Sequence, residues 1–168
     1  MPIEIRPVAR LVEGIISMRT LGDLEPFYPG FRSWFLDKAL PDALLPDHAL
    51  VHERGRGGMS IAIDDGNVIG CALWRRGPDE RKLRCVRVIP SMRGRGVALR
   101  LIDDSLRRLN DDAPACTVAE ELIHDYARIL VNRYGFRLSD VTKGEYRPGK
   151  LEYRFNVAPN EIAKPSPY

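Results

Sequence analysis

The segment with the clearest chemical potential in this chain runs from Arg93 to Ala98 and reads Arg-Gly-Arg-Gly-Val-Ala. It follows an apolar run that ends at Ile89 and precedes an amphipathic stretch, which predicts a strand end, a turn and a helix start. Glycines let the backbone approach a ligand closely, and the first N–H groups of a helix have no partner within it. Such N–H groups can donate to phosphate oxygens, and nearby arginines add positive charge. The predicted anion site comprises Arg93, Gly94, Arg95, Gly96, Val97 and Ala98.

Two other phosphate-binding motifs fit this segment less well. The P-loop pattern Gly-x-x-x-x-Gly-Lys-Ser/Thr is absent from the chain, which argues against a nucleotide triphosphatase. A dinucleotide-binding fold needs a third glycine where Leu99 stands, and parallel strands where the preceding ones read as antiparallel. Glu120 would lie near the acidic position of that motif, so the dinucleotide reading remains an alternative.

The elements before the site read as an antiparallel meander. Apolar runs at 59–63, 68–74 and 83–89 are joined by short polar turns, which is typical of strands that pair with their sequence neighbours. The polar stretch 64–67 is a hairpin turn signal, and the glycine-rich stretch 55–58 predicts another turn. The meander therefore runs directly into the anion site.

The elements after the site alternate between helices and strands. The helix at the site has one apolar face, and Asp104 is assigned with its arginines to the polar face. Gly135 is expected to stop the second helix, because glycine suits a left-handed cap. The predicted elements are a helix over 97–109, a strand over 115–119, a helix over 123–134 and a closing hairpin of 136–141 with 151–155.

Length and composition favour one domain. With 168 residues and 44% apolar content, the chain can bury a single core of mixed α/β type. Apolar spacing predicts an amino-terminal helix over 11–18 that ends near Gly22, and a short helix over 32–39 among aromatic residues. We expect one domain over residues 1–157 and a loosely ordered tail over residues 158–168.

The motif and its context resemble the GNAT acyltransferase superfamily. The signature of that superfamily, Arg/Gln-x-x-Gly-x-Gly/Ala, is met by Arg93, Gly96 and Ala98. The family order of hairpin strands, motif helix, short strand, second helix and Gly-Phe is repeated, with Gly135 and Phe136 in the last place. The resemblance covers about residues 59 to 156. It implies a GNAT-like, mixed but mostly antiparallel central sheet that is flanked by helices in a single domain.

The resemblance also implies acetyl-CoA, or another acyl-CoA, as the cofactor. Its pantetheine arm would lie in an opening between the strands at 83–89 and 115–119. There it would hydrogen-bond backbone groups near Val86 and Val88, much as an added strand does. By the same analogy His124 stands where relatives often carry an Asn that contacts the cofactor. An exposed histidine at a helix start is the alternative interpretation of His124.

Transfer of an acyl group to an amine requires a neutral nucleophile, oxyanion stabilisation and a proton for the leaving thiolate. A backbone N–H near Val88 is the candidate for the oxyanion. Glu120 and Glu121, directly after the short strand, are the candidate bases, and ordinary solvated carboxylates at a helix start are the alternative. The tyrosine that relatives use as the acid is replaced by Val131. Tyr134 and Cys85 are other possible donors, both of which also fit a packing role, and the acid stays unassigned.

Three functions therefore stay open. The first is an N-acyltransferase that moves an acetyl or small acyl group to a primary amine. The second is a domain that binds coenzyme A without catalysis, which Val131 favours. The third is a toxin that acylates aminoacyl-tRNA, which would want a basic surface. The candidate residues for that surface are Arg75, Arg76, Arg81, Lys82, Arg84 and Arg87.

Charge and cysteine usage limit the other classes. A net charge of +3 is too small to indicate nucleic-acid binding by itself. Three widely spaced cysteines, Cys71, Cys85 and Cys116, fit neither a disulfide framework nor a zinc knuckle, and no metal site is expected. Because no apolar run reaches 18 residues and the first residues lack the pattern of a secretion signal, we expect a cytoplasmic protein with no membrane partner.

Overall fold

The computed structural model describes residues 4–7, 31–39, 41, 56–78 and 80–158. The predicted helix over 11–18 and its end near Gly22 lie outside these residues, as does nearly all of the predicted tail. By its internal contacts the chain divides into two compact units, Met1–Asp111 and Asp112–Tyr168, and each is described by itself. The expectation of one domain over residues 1–157 stays a prediction.

The described residues of the first unit form four antiparallel strands that pair in chain order. The turn between the second and third strands consists of Asp65 and Gly66, with φ angles of 46° and 76°. Two positive φ angles are what a tight two-residue hairpin turn requires, and Gly adopts them without strain. The predicted meander is therefore confirmed. The strands are β1 Glu4–Pro7, β2 Arg56–Asp64, β3 Asn67–Arg76 and β4 Arg81–Val88.

The glycines before Met59 were expected to form a turn over 55–58, and the structure corrects this expectation. Residues 56–58 belong to β2 and pair with residues 74–76 of β3. A Cβ on Gly58 would lie 2.1 Å from Cζ2 of Trp74, so any side chain there would overlap the indole ring. Gly58 therefore makes room for a large aromatic side chain on the neighbouring strand.

Two helical elements accompany these strands. Helix α1, Phe31–Trp34, continues into a π-helical turn, Phe35–Ala39, which confirms the short helix expected there. Helix α2, Val97–Leu109, has the predicted bounds. Val97 and Leu101 of α2 share a buried apolar cluster with Ala62, Ala72 and Val88 of the strands.

Gly70 sets how closely α2 approaches β3. A Cβ on Gly70 would lie 2.8 Å from the carbonyl oxygen of Arg87 and 3.2 Å from Cδ1 of Leu101. Because any side chain there would push against the neighbouring backbone and the helix, only glycine permits this distance. The helix that carries the candidate anion site is therefore closely seated on its sheet.

Up to residue 158, the second unit has three antiparallel strands and a helix. Strand β7 lies between β5 and β6 and is antiparallel to each. Helix α3 continues into a π-helical turn, and Gly135 follows with φ of 67°, which confirms the predicted stop. The elements are β5 Ala115–Ala119, α3 Ile123–Arg128 with the π-helical turn Ile129–Arg133, β6 Leu138–Lys143 and β7 Leu151–Phe155.

Strand β6 begins two residues later than expected. The N–H of Phe136 donates to the carbonyl oxygen of Leu130 at 2.9 Å, and the N–H of Gly135 donates to that of Val131 at 3.1 Å. These bonds satisfy carbonyl groups at the end of the helix, and the ring of Phe136 is buried. Phe136 therefore closes the helix, and the strand starts at Leu138.

Candidate functional site

The loop between β4 and α2 adopts a conformation that only glycine takes up without strain. A 3-10 turn, Pro90–Met92, leads into the loop. Gly94 and Gly96 have φ angles of 73° and 75°, in the left-handed region. A Cβ on either glycine would meet nothing within 4 Å, so the space in front of both residues is open. The loop therefore presents bare backbone to open space at the start of a helix.

The backbone N–H groups of this loop divide into two sets. The N–H of Met92 donates to the carbonyl oxygen of Ile89 at 3.0 Å, and that of Arg93 donates to Pro90 at 3.3 Å. For Gly94–Ala98, no hydrogen bond from the backbone N–H is found within the described ranges of the chain. The donors available to an anion therefore start at Gly94, and Arg93 can contribute only its side chain.

Arg93 also links the loop to the end of β4. Its Nε donates to the carbonyl oxygen of Val88 at 3.2 Å. Arg93 and Arg95 are both exposed, so two cations accompany the glycines of the loop. A doubly charged anion in front of α2 would gain from these charges and from the helix dipole.

The other predicted cofactor residues lie on two elements, β4 and α3. Val86 and Val88 stand on β4, opposite Ala72 and Gly70 of β3. Val88 is buried and Val86 packs against the same apolar cluster. His124 is the second residue of α3 in the other compact unit, and it is exposed. The structure thus brings Val88 and the loop together, whereas His124 belongs to a separately described part.

Glu120 lies directly after β5 and is held by β7 and the loop before it. Its two carboxylate oxygens accept from Nζ of Lys150 at 2.8 Å and from the backbone N–H of Leu151 at 2.8 Å. The hydrogen bond from Lys150, followed by that from Leu151, lowers the pKa of Glu120 below its ordinary value. Glu120 is therefore ionised at neutral pH and is a weaker base than an ordinary carboxylate.

Glu121 is held by a buried arginine. Nη1 of Arg147 donates to its two oxygens at 3.0 and 2.9 Å, and Lys150 lies 3.0 Å away. Desolvation raises the pKa of Glu121, but hydrogen bonds, including those from Arg147 and Lys150, outweigh it and the pKa is lowered. Nε of Arg147 also donates to buried Glu152 at 2.9 Å. We call Glu120, Glu121, Arg147, Lys150 and Glu152 the Arg147 cluster.

The Arg147 cluster joins the end of β5 to the loop between β6 and β7. Burial raises the pKa of Glu152, and the hydrogen bond from Arg147 only partly offsets this. Three carboxylates thus share two cations, and every carboxylate in the cluster has a cationic partner. This arrangement suits anchoring of the hairpin better than proton abstraction by Glu120 or Glu121, because their hydrogen bonds to cations lower their pKa values.

The candidate proton donors are weak ones. Val131, at the position of the usual tyrosine, is 45% exposed and has no proton to give. The ring of Tyr134 packs against that of Phe136, with ring centroids 6.0 Å apart. Burial raises the pKa of the Cys85 thiol to about 12, although Arg87 and Arg84 act against the shift. A thiol with that pKa releases its proton poorly to a leaving thiolate.

Asp104 is a residue that the sequence interpretation placed wrongly. It was assigned to the polar face of α2, but it is only 6% exposed. The hydroxyl of buried Ser60 on β2 donates to Oδ2 of Asp104, and Nε of Arg108 donates to the same oxygen at 2.8 Å. The spacing of Asp104 from Val97 and Leu101, at i+7 and i+3, could have revealed that it lies on the buried stripe.

The basic residues considered for tRNA binding are not all surface groups. The carbon centre of the Arg84 guanidinium lies 5.1 Å from the centroid of the Trp34 ring, so Arg84 is engaged in a cation–π contact. Arg87 is buried. The remaining four lie at the β3–β4 turn, where they face each other as like charges across the strands, a pairing that usually destabilises a sheet. They are Arg75, Arg76, Arg81 and Lys82.

The described part of the chain offers neither a metal site nor a membrane-spanning helix. There, no group of three or more His, Cys, Asp or Glu side chains is arranged to hold a metal ion. Over the same ranges, no helix has the length and apolar character needed to cross a membrane.

Comparisons with known proteins place these features in a family. The sequence profile described as "Acetyltransferase (GNAT) family" matches residues 23–136, which include β2 to β5, α2 and α3. No curated protein matches the chain in sequence.

Solved structures share the fold at low sequence identity. The PaiA N-acetyltransferase from Thermoplasma acidophilum, in complex with coenzyme A, has a TM-score of 0.66 and 15% identity, over 92% of this chain and 98% of the other. A Bacillus subtilis acetyltransferase in complex with CoA has a TM-score of 0.63 and 14% identity, over 92% and 97%. A GNAT family acetyltransferase from Elizabethkingia anophelis with acetyl-CoA bound has a TM-score of 0.58 and 14% identity, over 91% and 95%.

These likenesses confirm the predicted fold class, in which mostly antiparallel strands are flanked by helices. The profile match spans more than half of the 168 residues and contains the glycine loop. The chain therefore belongs to the GNAT family of acetyltransferases.

Proposed function

We propose that this protein is an acyl-CoA-dependent N-acyltransferase that moves an acetyl or other small acyl group to a primary amine by direct transfer. The observation that carries the proposal is the set of backbone N–H groups from Gly94 to Ala98 at the start of α2. The space beside Gly94 and Gly96 is open, since a Cβ on either glycine would meet no atom of the described residues within 4 Å. The CoA and acetyl-CoA complexes among the structural neighbours support the same ligand.

The loop has the chemistry that a pyrophosphate requires. Its N–H groups are hydrogen-bond donors to phosphate oxygens, and the dipole of α2 adds about 0.3 to 1 kcal/mol for an anion at that end. Arg93 and Arg95 supply two further positive charges. No side chain has to move to make room at Gly94 or Gly96.

We assign the remaining contacts with the acyl donor to the backbone of β4 and to His124. The backbone of β4 near Val86 and Val88 would hold the pantetheine arm as an added strand. His124, which is exposed on α3, would supply a polar contact. Acetyl-CoA would bring an activated thioester, and the chain would orient it and exclude water.

Glu120 or Glu121 is the proposed proton acceptor. Both are ionised at neutral pH, and their cationic partners limit their strength as bases. Exchange for glutamine separates the two roles, since glutamine keeps a hydrogen-bond acceptor but cannot take up a proton. If a carboxylate is the base, its glutamine variant lowers kcat while KM for acetyl-CoA is unchanged. If it only anchors the hairpin, kcat is retained.

The test of the proposed function is release of free thiol from acetyl-CoA in the presence of a panel of primary amines. We expect thiol release above the hydrolytic background with at least one amine, and an acyl group on that amine by mass spectrometry. Gly96→Ala should lose the activity, and Gly66→Ala, which alters a remote turn, should keep it. Failure of the folded protein to bind CoA at millimolar concentration would contradict the proposal.

A second function, a non-catalytic CoA-binding module, is favoured by one set of observations. Val131 replaces the usual acid, Cys85 has a raised pKa, and both candidate bases are ion-paired. Such a module would bind CoA through the same loop but release no thiol with any amine. The acylation of aminoacyl-tRNA stays a prediction, for which strong salt dependence of tRNA binding is the test.

We also propose a cytoplasmic location. Cys71 is a buried free thiol, and Cys85 is half-buried and also free. Cysteines that form no disulfide suit a reducing compartment.

A further inference from the structure

A buried polar contact beneath α2 stands out among apolar neighbours. Ser60, on β2, has no exposed surface, and Asp104, in the middle of α2, is 6% exposed. The Ser60 hydroxyl donates to Oδ2 of Asp104. The apolar residues of the same helix face, Val97 and Leu101, are fully buried against the sheet.

The charge on Asp104 is stabilised from two sides. Nε of Arg108 donates to Oδ2 at 2.8 Å, and Nη2 of Arg107 lies 3.4 Å from Oδ1. Both arginines belong to α2 itself and move with it. Ser60 belongs to β2, so the Ser60–Asp104 hydrogen bond is a link between the helix and the sheet.

This link depends on position in a way that the apolar contacts do not. A slide of α2 by one turn would move Asp104 by about 5.4 Å, beyond hydrogen-bond distance from Ser60. It would leave a buried hydroxyl and a buried carboxylate short of a partner, which is costly. Apolar contacts are non-directional and tolerate such a shift better. In coiled coils a single buried polar residue fixes helix register for the same reason.

We propose that the Ser60–Asp104 hydrogen bond is a positioning device for the acyl-CoA site, because it fixes α2 in register on the sheet. The N–H groups of Gly94–Ala98 stand at the start of the same helix, and Val97 is about 10 Å along the axis from Asp104. A hydrogen bond to phosphate tolerates only a few tenths of an ångström. A displaced or loosened helix would therefore weaken CoA binding without any change in the loop. The inference rests on the proposed function, since it assigns CoA to this loop.

Three variants separate positioning from general stability. Ser60→Ala together with Asp104→Leu removes both polar groups, and leucine continues the apolar stripe next to Leu101. Ser60→Ala alone is the milder change and serves if the double variant does not fold. Asp104→Asn is the conservative control, because asparagine retains an oxygen that can accept from Ser60.

The measurement is CoA affinity by titration calorimetry at a temperature where circular dichroism shows each variant to be folded. We expect the double variant to bind CoA at least tenfold more weakly than the wild type, and Ser60→Ala at least fivefold more weakly. Asp104→Asn should bind within twofold of the wild type. A purely structural role would change the thermal midpoint but not the affinity of the folded protein.

Two results would overturn this inference while the proposed function still stands. One is a folded double variant, or a folded Ser60→Ala variant, that binds CoA within twofold of the wild type. The other is an Asp104→Asn variant as weak as the double variant, since the charge and not the hydrogen bond would then matter. If the wild type does not bind CoA at all, the proposed function fails and this inference fails with it.

Discussion

Replacement of Gly96 by alanine has a matched control elsewhere in the chain. Gly96, in the loop before α2, and Gly66, in the β2–β3 turn, have φ angles of 75° and 76°. A Cβ on either would meet nothing within 4 Å. Both substitutions therefore introduce backbone strain without a steric overlap. They differ only in their location, in the loop before α2 or in the β2–β3 turn.

The expected loss of stability follows from the strain. A left-handed conformation costs a residue with a Cβ about 1–2 kcal/mol relative to glycine. For a chain of this length, each kcal/mol lowers the thermal midpoint by roughly 2–4 °C. We expect the thermal midpoints of Gly96→Ala and Gly66→Ala to lie about 2–8 °C below that of the wild type. The two decreases should be similar.

The expected effect on CoA binding separates the two variants. In Gly96→Ala a methyl group enters the open space beside the loop, and strain at the left-handed φ angle disturbs the start of α2. We expect the Kd for CoA to rise at least tenfold, which corresponds to about 1.4 kcal/mol. Gly66→Ala should leave the Kd unchanged.

The assay is calorimetric titration with CoA at about 20 °C below the thermal midpoint of each variant, a margin of roughly five to ten times the expected shift per kcal/mol. The midpoint is taken from a thermal scan. The reasoning would be refuted if Gly96→Ala bound CoA as tightly as Gly66→Ala while both were folded. The phosphates of CoA would then lie elsewhere.

Three further predictions rest on other parts of the structure. Gly58→Ala should destabilise the protein by about 1–3 kcal/mol in urea unfolding, because its Cβ would lie 2.1 Å from the Trp74 ring; an unchanged midpoint would contradict the packing. Cys85, with a pKa of about 12, should be alkylated by iodoacetamide at pH 8 at least a hundredfold more slowly than a free cysteine, as mass spectrometry of its peptide can measure. Glu120, whose pKa is lowered, contributes stability that is present above its unfolded pKa of about 4.3 and lost as pH falls through the folded pKa. The stability difference between wild type and Glu120→Gln should therefore shrink from pH 6 to pH 3, and a constant difference would speak against the pairing with Lys150.

The structure could be predicted from the sequence where local signals and tertiary contacts favour the same conformation. The Asp65–Gly66 turn requires two positive φ angles, and the Asp-Gly pair is typical of such a turn. Helix α2 has an apolar stripe, interrupted at Asp104, that begins after the glycine loop, so its bounds could be predicted. The loop itself was predictable because its glycines and its place before the helix are local features.

The sequence was insufficient where a distant residue decides the outcome. The sequence pattern predicts a turn at Gly58, but glycine is needed there because the ring of Trp74, 16 positions later, occupies the space of a side chain. Asp104 looks like a surface residue until Ser60 is seen beneath it, 44 positions away. In the Arg147 cluster, Glu121 pairs with Arg147, 26 positions away, and Glu120 pairs with Lys150, 30 positions away, so no local pattern indicates that these glutamates are ion-paired.

The central claim, that the backbone of Gly94–Ala98 receives the pyrophosphate of CoA, is tested most directly by nuclear magnetic resonance of ¹⁵N-labelled protein. CoA and pantetheine, which lacks the pyrophosphate, are titrated in parallel and the amide signals are followed. We predict that CoA moves the amide signals of Gly94–Ala98 downfield, as expected for new hydrogen bonds, and that pantetheine does not. Saturating CoA that leaves these signals in place, or equal shifts with both ligands, would contradict the claim.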